Sequence, residues 1–261
     1  MDDLEADKDR NFVTALARGL DILRCFDVAD TALTNSDFAQ RTGLPKATIS
    51  RLTHTLCSLD YLVADARTGT YRLSAGVLHL GFGVLAGMDI GVRAEDEMRA
   101  LRDGPNSYIT VALAEQHQLD AVYLATSNSL EGVALSIRVG SRLPIFHSAI
   151  GRAIMVGMHE NERERVFGIA RSHGSKVEED GRVQVTQALA EYEEKGFCTG
   201  YGTWRKDVNG IAVPVYSLTG GVVYGLNVGG PAFRVKKKQL ESVYAPQLIK
   251  AANVVGARCQ A

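Results

Sequence analysis

Residues 34–73 read TNSDFAQRTGLPKATISRLTHTLCSLDYLVADARTGTYRL, and the order of signals in this stretch decides the fold of the N-terminal part of the chain. Thr34 and Asp37 have capping-box spacing: the hydroxyl can accept from the third backbone N–H while the carboxylate reaches back. Phe38 and Ala39 open the apolar face of a short helix, and Gly43 permits the positive φ that ends it. Pro45 suits the first turn of the next helix, where its missing N–H costs nothing. Ile49, Leu52, Leu56 and Leu59 recur at helical spacing and predict a buried stripe. The opposite face carries Lys46, Thr48, Ser50, Arg51 and His54, all able to donate hydrogen bonds to phosphates or base edges. Tyr61–Ala64 and Tyr71–Leu73 predict two short strands around a turn at Asp65–Thr70, with Gly69 for the turn and Arg67 near its tip. A short helix, a Gly turn, a helix with a polar cationic face and a hairpin form, in that order, a winged helix-turn-helix. That order makes double-stranded DNA the first partner to consider.

Working outward, Ala15–Phe26 predicts a helix with Leu16, Leu20 and Leu23 on one face, completing a three-helix core. Between Arg10 and Leu73 eight cations stand against six acids, so this part is locally basic although the 261-residue chain has a formal net charge of −1. Charge acts on a partner locally, and Arg41 joins Lys46, Thr48, Ser50, Arg51, His54 and Arg67 as a candidate DNA contact. Asp2, Asp3, Glu5, Asp7 and Asp9 predict a disordered acidic tail over residues 1–11, ahead of a DNA-binding domain over 12–75. Ser74 can cap a further helix running from Val77 towards Ile90. Gly76, Gly81, Gly83 and Gly87 lie in or beside it, and each interior Gly costs about 1 kcal/mol relative to Ala. Being apolar on more than one side, the segment over 76–91 reads as a linker and dimer contact made for close helix–helix approach.

From Val92 the pattern becomes one of mixed helices and strands. Ala94–Arg102 predicts a helix. Ser107–Ala114 and Leu119–Ala125 alternate as paired strands around a polar turn at Glu115–Gln118. Val133–Val139 is a further strand. Helices follow at Ser148–Met158, Glu160–Ile169 and Thr186–Lys195, the last ended by Gly196. Ile211–Ser217 and Val222–Val228 predict strands around Leu218–Gly221, and a helix from Lys236 to about Val255 closes the pattern. The fold class is therefore α+β, with the second domain over residues 92–261.

Composition narrows the function. A hydrophobic fraction of 46% and a charged fraction of 23% are those of a globular protein. The acidic N-terminus has no secretory h-region, and no stretch approaches the roughly 18–20 apolar residues of a membrane span. Cys25, Cys57, Cys198 and Cys259 are widely spaced without a C-x-x-C pair, as for reduced structural thiols in the cytoplasm. Neither a G-x-S-x-G elbow, a Walker loop nor a zinc-spaced cluster is present, so no catalytic or metal-ligating residue is assigned. His147 beside Ser148 is adjacency alone, and Gly229-Gly230-Pro231 lacks the strand–loop–helix context of a dinucleotide site; no cofactor is expected. The alternative to a DNA-binding regulator is a stand-alone small-molecule sensor that does not bind DNA.

Over about residues 12–255 the chain resembles the IclR-type bacterial transcription regulators. The matching segments are LARGLDILRCF (Leu16–Phe26), GLPKATISRLTHTL (Gly43–Leu56), TGTYRLSAGVLHLG (Thr68–Gly81), RVGSRLPIFHSAIGRAIM (Arg138–Met155), EKGF (Glu194–Phe197), VNGIAVPV (Val208–Val215) and GGPAFRV (Gly229–Val235). The resemblance implies a winged-helix domain, a linker helix and a GAF-like α/β effector-binding domain, assembled as a homodimer or homotetramer on palindromic promoter DNA. It further implies that Leu143–Ala153 crosses the effector pocket and leads into a helix whose N-terminus, at Ser148, Ala149, Ile150 and Gly151, can bind a carboxylate. Members typically carry His after the L-P-x step, where this chain has Phe146. In GYGTWRKDVNGIAVPV, Gly202 and Thr203 fall in a usually acidic run, Val208 follows it, and Gly210 takes a usual Cys position. Asn227 and Gly229 stand at a common Ser-x-Ser. Small residues at Gly202, Gly210 and Gly229 would enlarge the cavity, and Trp204, Phe146 and Tyr201 would give it aromatic walls. The implied effector is an aromatic or other bulky organic acid.

Overall fold

The computed structural model describes residues 11–27, 29–87, 89–131, 137–218 and 220–256. The chain divides into two units, Met1–Gly87 and Met88–Ala261. The acidic tail expected over 1–11 lies, apart from Asn11, outside the described residues.

The first unit contains α1 (Thr14–Arg24), β1 (Leu33–Thr34), α2 (Asn35–Thr42), α3 (Lys46–Ser58), β2 (Leu62–Asp65), β3 (Thr70–Leu73) and α4 (Ala75–Ala86). The capping box forms: Thr34 N–H donates to Asp37 Oδ2 at 2.7 Å, and Asp37 N–H donates to Thr34 Oγ1 at 3.3 Å. Gly43 closes α2 at φ 69°. Pro45 is the N-cap of α3, one residue before its first turn. The hairpin starts one residue later than Tyr61, and β1 adds to β3, giving a three-stranded sheet in the order β1-β3-β2. Ile22, Leu33, Phe38, Ile49, Leu56 and Leu62 form the core, with Phe26 edge-on to Phe38 at 5.5 Å.

Three leucines depart from their predicted places. Leu59 is 60% exposed; α3 instead turns Thr53 inward, its hydroxyl donating to Ile49 O at 3.0 Å. Leu16 and Leu20 are exposed, and the buried residue of α1 is Ile22. On α4, Leu78, Leu80, Phe82 and Val84 are likewise exposed. The linker helix ends at Ala86, and residues 89–91 belong to the first helix of the second unit.

The second unit contains α5 (Asp89–Arg102), β4 (Thr110–His117), β5 (Asp120–Ser127), β6 (Arg142–Pro144), α6 (Ala149–Gly157), α7 (Glu160–Ser172), α8 (Ser175–Lys195), β7 (Cys198–Tyr201), β8 (Val208–Tyr216), β9 (Val223–Pro231), α9 (Lys237–Gln239), a π turn at Leu240–Tyr244 and α10 (Ala245–Val255). The strands make one antiparallel sheet in the order β6-β5-β4-β9-β8-β7. Strand alternation divides it into two faces. Val111, Leu113, Ile211, Val213, Leu226 and Val228 pack with Met98 of α5 and Leu248 of α10. Ala112, Ala114, Tyr123 and Ala212 pack with Ile150 and Ile154 of α6, Phe167 of α7 and Val185 of α8.

β4 runs on through His117, so the hairpin turns at Gln118, with φ 55°, and not over Glu115–Gln118. Of the strand expected over 133–139, residues 133–136 lie outside the described residues, and the rest is not strand. α8 begins eleven residues before Thr186. Gly181 sits inside it for a packing reason: a Cβ there would come within 2.6 Å of the Phe146 ring.

Candidate functional site

The first unit offers a cationic surface. α3 has no side-chain cap, so its first backbone N–H groups are open to an acceptor such as a phosphate. Lys46, Ser50, Arg51 and His54 are exposed on α3, and Thr48 is half-buried. At the wing tip, Asp65 Oδ1 accepts from the Arg67 N–H at 2.8 Å, and Gly69 adopts φ 67°. Among the described residues no acid pairs with the side chains of Lys46, Arg51 or Arg67. Arg41 differs. Its guanidinium donates to Cys25 O at 2.7 Å and to Asp30 Oδ2 at 2.6 Å, tying α2 to the segment after α1.

The second unit holds a cavity between the α6 face of the sheet and the loop after β7. It is lined by Thr110, Tyr123, Ile137, Leu143, Ala149, Ile150, Gly200, Trp204, Val208, Asn209, Gly210, Asn227 and Gly229. No lining side chain is charged. One end of the cavity is the N-terminus of α6. Ser148 caps it, its Oγ accepting from Gly151 N–H at 3.1 Å, and Ser148 O accepts from Arg152 N–H at 2.9 Å. The first four N–H groups of a helix have no partner within it, so those of Ala149 and Ile150 remain for a ligand. Gly200 allows this end to approach β7: a Cβ there would lie 2.8 Å from the Ala149 nitrogen.

Thus Ala149, Ile150, Trp204, Val208, Gly210, Asn227 and Gly229 meet at one cavity as expected. Four expected residues are absent from its lining. Phe146 is buried and stacks on Phe167 at 5.9 Å, so it is a core residue and not an aromatic wall. Ser148 is spent on the cap. Gly151 lies against the Ile145 backbone, whose Cα would be 2.6 Å from a Cβ. Gly202 forms the turn after β7 at φ 72°. Tyr201 also turns away, donating to Glu241 at 2.9 Å beneath the Lys237 ammonium.

The residues missed from the sequence are Thr110, Tyr123, Ile137, Gly200 and Asn209. Asn209 is held by its Nδ2, which donates to Val235 O at 2.9 Å. Tyr123 is the buried aromatic of the site, and burial pushes its phenol above the ordinary value while Asn227 opposes the shift. The free interior is narrow, about 20 Å³ as traced by the centre of a water-sized sphere, room for roughly one water. The glycines here do not simply enlarge it; a Cβ on Gly229 would lie 2.8 Å from Asn209 O, so this glycine serves close strand approach.

A helix-turn-helix with unpaired surface cations, and a separate narrow cavity in the second unit, are the features of a DNA-binding transcriptional regulator. Residues 15–66 match the IclR helix-turn-helix domain, and residues 82–257 match the bacterial transcriptional regulator IclR C-terminal domain. The chain is 29% identical over 248 residues to the Pca regulon regulatory protein of Pseudomonas putida, spanning 94% of this chain and 84% of that protein. The crystal structure of an IclR family transcriptional regulator from Brucella abortus is 38% identical, covers 95% of this chain and 93% of its own, and has a TM-score of 0.81. An IclR homolog from Microbacterium hydrocarbonoxydans, crystallised with 4-hydroxybenzoate, shares the fold at 24% identity and a TM-score of 0.69, covering 92% of this chain and 97% of its own. The protein belongs to the IclR family of transcriptional regulators. Its relatives are regulators of transcription rather than enzymes, and no helix among the described residues is long and apolar enough to cross a membrane.

Proposed function

We propose that this regulator represses or activates a catabolic operon in response to an aromatic or similarly bulky organic acid. The cavity carries this reading. One end offers the free N–H groups of Ala149 and Ile150, which with the helix dipole favour an anion. The rest offers apolar walls at Trp204, Ile137, Leu143 and Val208, with uncharged polar groups between them. Such a site suits a single carboxylate on an apolar body and disfavours a second buried charge. The complex of the Microbacterium hydrocarbonoxydans homolog supports it at the level of fold, since the shared architecture admits an aromatic acid.

On DNA, Lys46, Thr48, Ser50, Arg51 and His54 occupy the major groove and its rim, and Arg67 contacts phosphate. Arg41 acts mainly by bracing α2. A GAF-like effector domain over 92–261 and the linker helix join two such heads on a palindromic operator in the cytoplasm, in a homodimer or homotetramer. The exposed apolar side chains of α1 and α4 support that assembly, because a second copy would cover them. An effector that binds two arrangements of the assembly unequally shifts the separation of the heads, with the linker helix as transmitter.

Calorimetry of the full chain with benzoates and aliphatic acids tests the effector class. Binding confined to small aliphatic acids overturns the aromatic assignment. Gel shifts on DNA upstream of its own gene, with and without the binding acid, test the response.

A further inference from the structure

The sheet face beneath α6 is floored with small residues: Ala112 and Ala114 on β4, Gly210 and Ala212 on β8, Gly225 and Gly229 on β9. Two larger polar side chains rise from it. Tyr123 stands opposite Ala114, and Asn227 stands opposite Ala112. Between them β4 presents only the methyl groups of Ala112 and Ala114, and both side chains reach the cavity. Tyr123 is fully buried and Asn227 is 9% exposed. Among the described residues, Tyr123 Oη and Asn227 Oδ1 are both without a close hydrogen-bond partner, although the Asn227 amide stands near enough to the phenol to oppose its shift.

A buried polar atom without a partner costs about 1–3 kcal/mol, and the great majority of such atoms are satisfied. Here two of them line one cavity, and they are complementary. Tyr123 Oη–H donates, and burial keeps the phenol neutral so that it remains a donor. Asn227 Oδ1 accepts. Among the neutral groups common on a small organic acid, the hydroxyl accepts one hydrogen bond and donates another. A carboxylate has no proton for Asn227, an ammonium has no lone pair for Tyr123, and a bare ring satisfies neither.

We infer that Tyr123 and Asn227 form a hydroxyl-reading pair, and that the effector is a hydroxylated organic acid: its hydroxyl accepts from Tyr123 and donates to Asn227, while its carboxylate lies at the start of α6. The inference rests on the organic-acid reading of the cavity and narrows it. Both residues are specificity determinants, because an analogue without the hydroxyl leaves a buried donor and acceptor unpaired, which a site built around a hydroxyl penalises strongly.

The test uses matched acids on the full chain by calorimetry: benzoate against 3- and 4-hydroxybenzoate, and hexanoate against 6-hydroxyhexanoate. In at least one set the hydroxylated acid binds at least about tenfold more tightly. Y123F and N227A each reduce that ratio to within about threefold without weakening the plain acid, the loss expected when one hydrogen bond is removed. Because the Tyr123 hydroxyl has no close hydrogen-bond partner among the described residues, Y123F keeps or raises the melting temperature, which separates lost recognition from lost folding. A preference confined to the aliphatic set upholds the pair and removes the aromatic assignment. Binding of plain and hydroxylated benzoates alike, with no preference in the aliphatic set either, keeps the aromatic reading and overturns the pair, as when a water molecule serves both groups. No preference in either set overturns it, as does a preference that both variants leave intact.

Discussion

Gly200 runs so close to Ala149 that a single added carbon on Gly200 would stand 2.8 Å from the Ala149 nitrogen and 3.0 Å from its Cβ. The contact presses strand β7 against the open end of helix α6, where Ala149 offers a free N–H to the cavity. Gly200→Ala must push that first turn aside. The helix end contributes up to about 2 kcal/mol to holding an anion, so the variant binds organic acids roughly tenfold more weakly. Effector-free binding to operator DNA stays near that of the parent. Calorimetry beside gel shifts checks both, and unchanged acid affinity would show that the approach does not position the anion site.

Gly151 illustrates the opposite case. It is the third residue of α6, and a Cβ there would run into the backbone of Ile145. Neither side of that contact is a flexible side-chain end, so the strain falls on the fold. Gly151→Ala destabilises the protein by about 1–3 kcal/mol, read as a lower urea midpoint. A loss of acid binding with an unchanged midpoint would return Gly151 to the cavity.

Arg51 and Arg67 separate reading from holding. Arg51 sits on the exposed face of α3, and Arg67 sits on the wing tip. Arg51→Ala costs about 1–3 kcal/mol on operator DNA and less on random DNA. Arg67→Ala weakens both alike and lowers the slope of log affinity against log salt by about 1. Equal loss on operator and random DNA for Arg51→Ala removes its base-reading role.

An ion-pair chain joins α7 and α8, and its acid carries a pH signature. Glu178 accepts from Arg171 at 2.6 and 2.7 Å and from Arg182 at 3.0 Å, and Arg182 in turn donates to both oxygens of Glu164 at 2.7 Å. The Arg171 hydrogen bonds, reinforced by Arg182, hold the Glu178 carboxyl down at about 2. A carboxyl depressed by folding adds stability above its unfolded value, about 4.3, and loses it as pH falls towards the folded value. Glu178→Gln therefore lowers the melting temperature at neutral pH and flattens its decline between about pH 4.5 and 2. An acid limb identical to the parent's would show the chain of ion pairs to be inert.

Local chemistry made the first unit readable. The Thr34–Asp37 cap, the left-handed Gly43 and the Gly69 turn each act within a few residues, so their sequence signals carry directly into structure. Leu16, Leu20 and Leu59 were misplaced because periodicity tells which side chains share a face, not what covers that face. Trp204, Asn227, Gly210 and the start of α6 were legible through the family resemblance. The same resemblance implies a place in the cavity for Phe146, Gly151 and Gly202, whereas packing against Phe167, the Ile145 backbone and a turn claims them. Tyr123 carried no signal of its own: its importance depends on register, which sets it opposite Ala114 and two strands from Asn227. Long-range pairing of that kind is invisible to a local pattern.

The alternation along β4, β8 and β9 has an evolutionary consequence. Val111, Leu113, Ile211, Val213, Leu226 and Val228 hold one face of the sheet, while the neighbouring positions 210 and 227 form part of the floor of the cavity on the other. A mutation at a floor position changes what the cavity admits and leaves the opposite core intact. A regulator built this way can acquire a new inducer by single steps, each tolerated by the scaffold, without remaking the head that finds its operator.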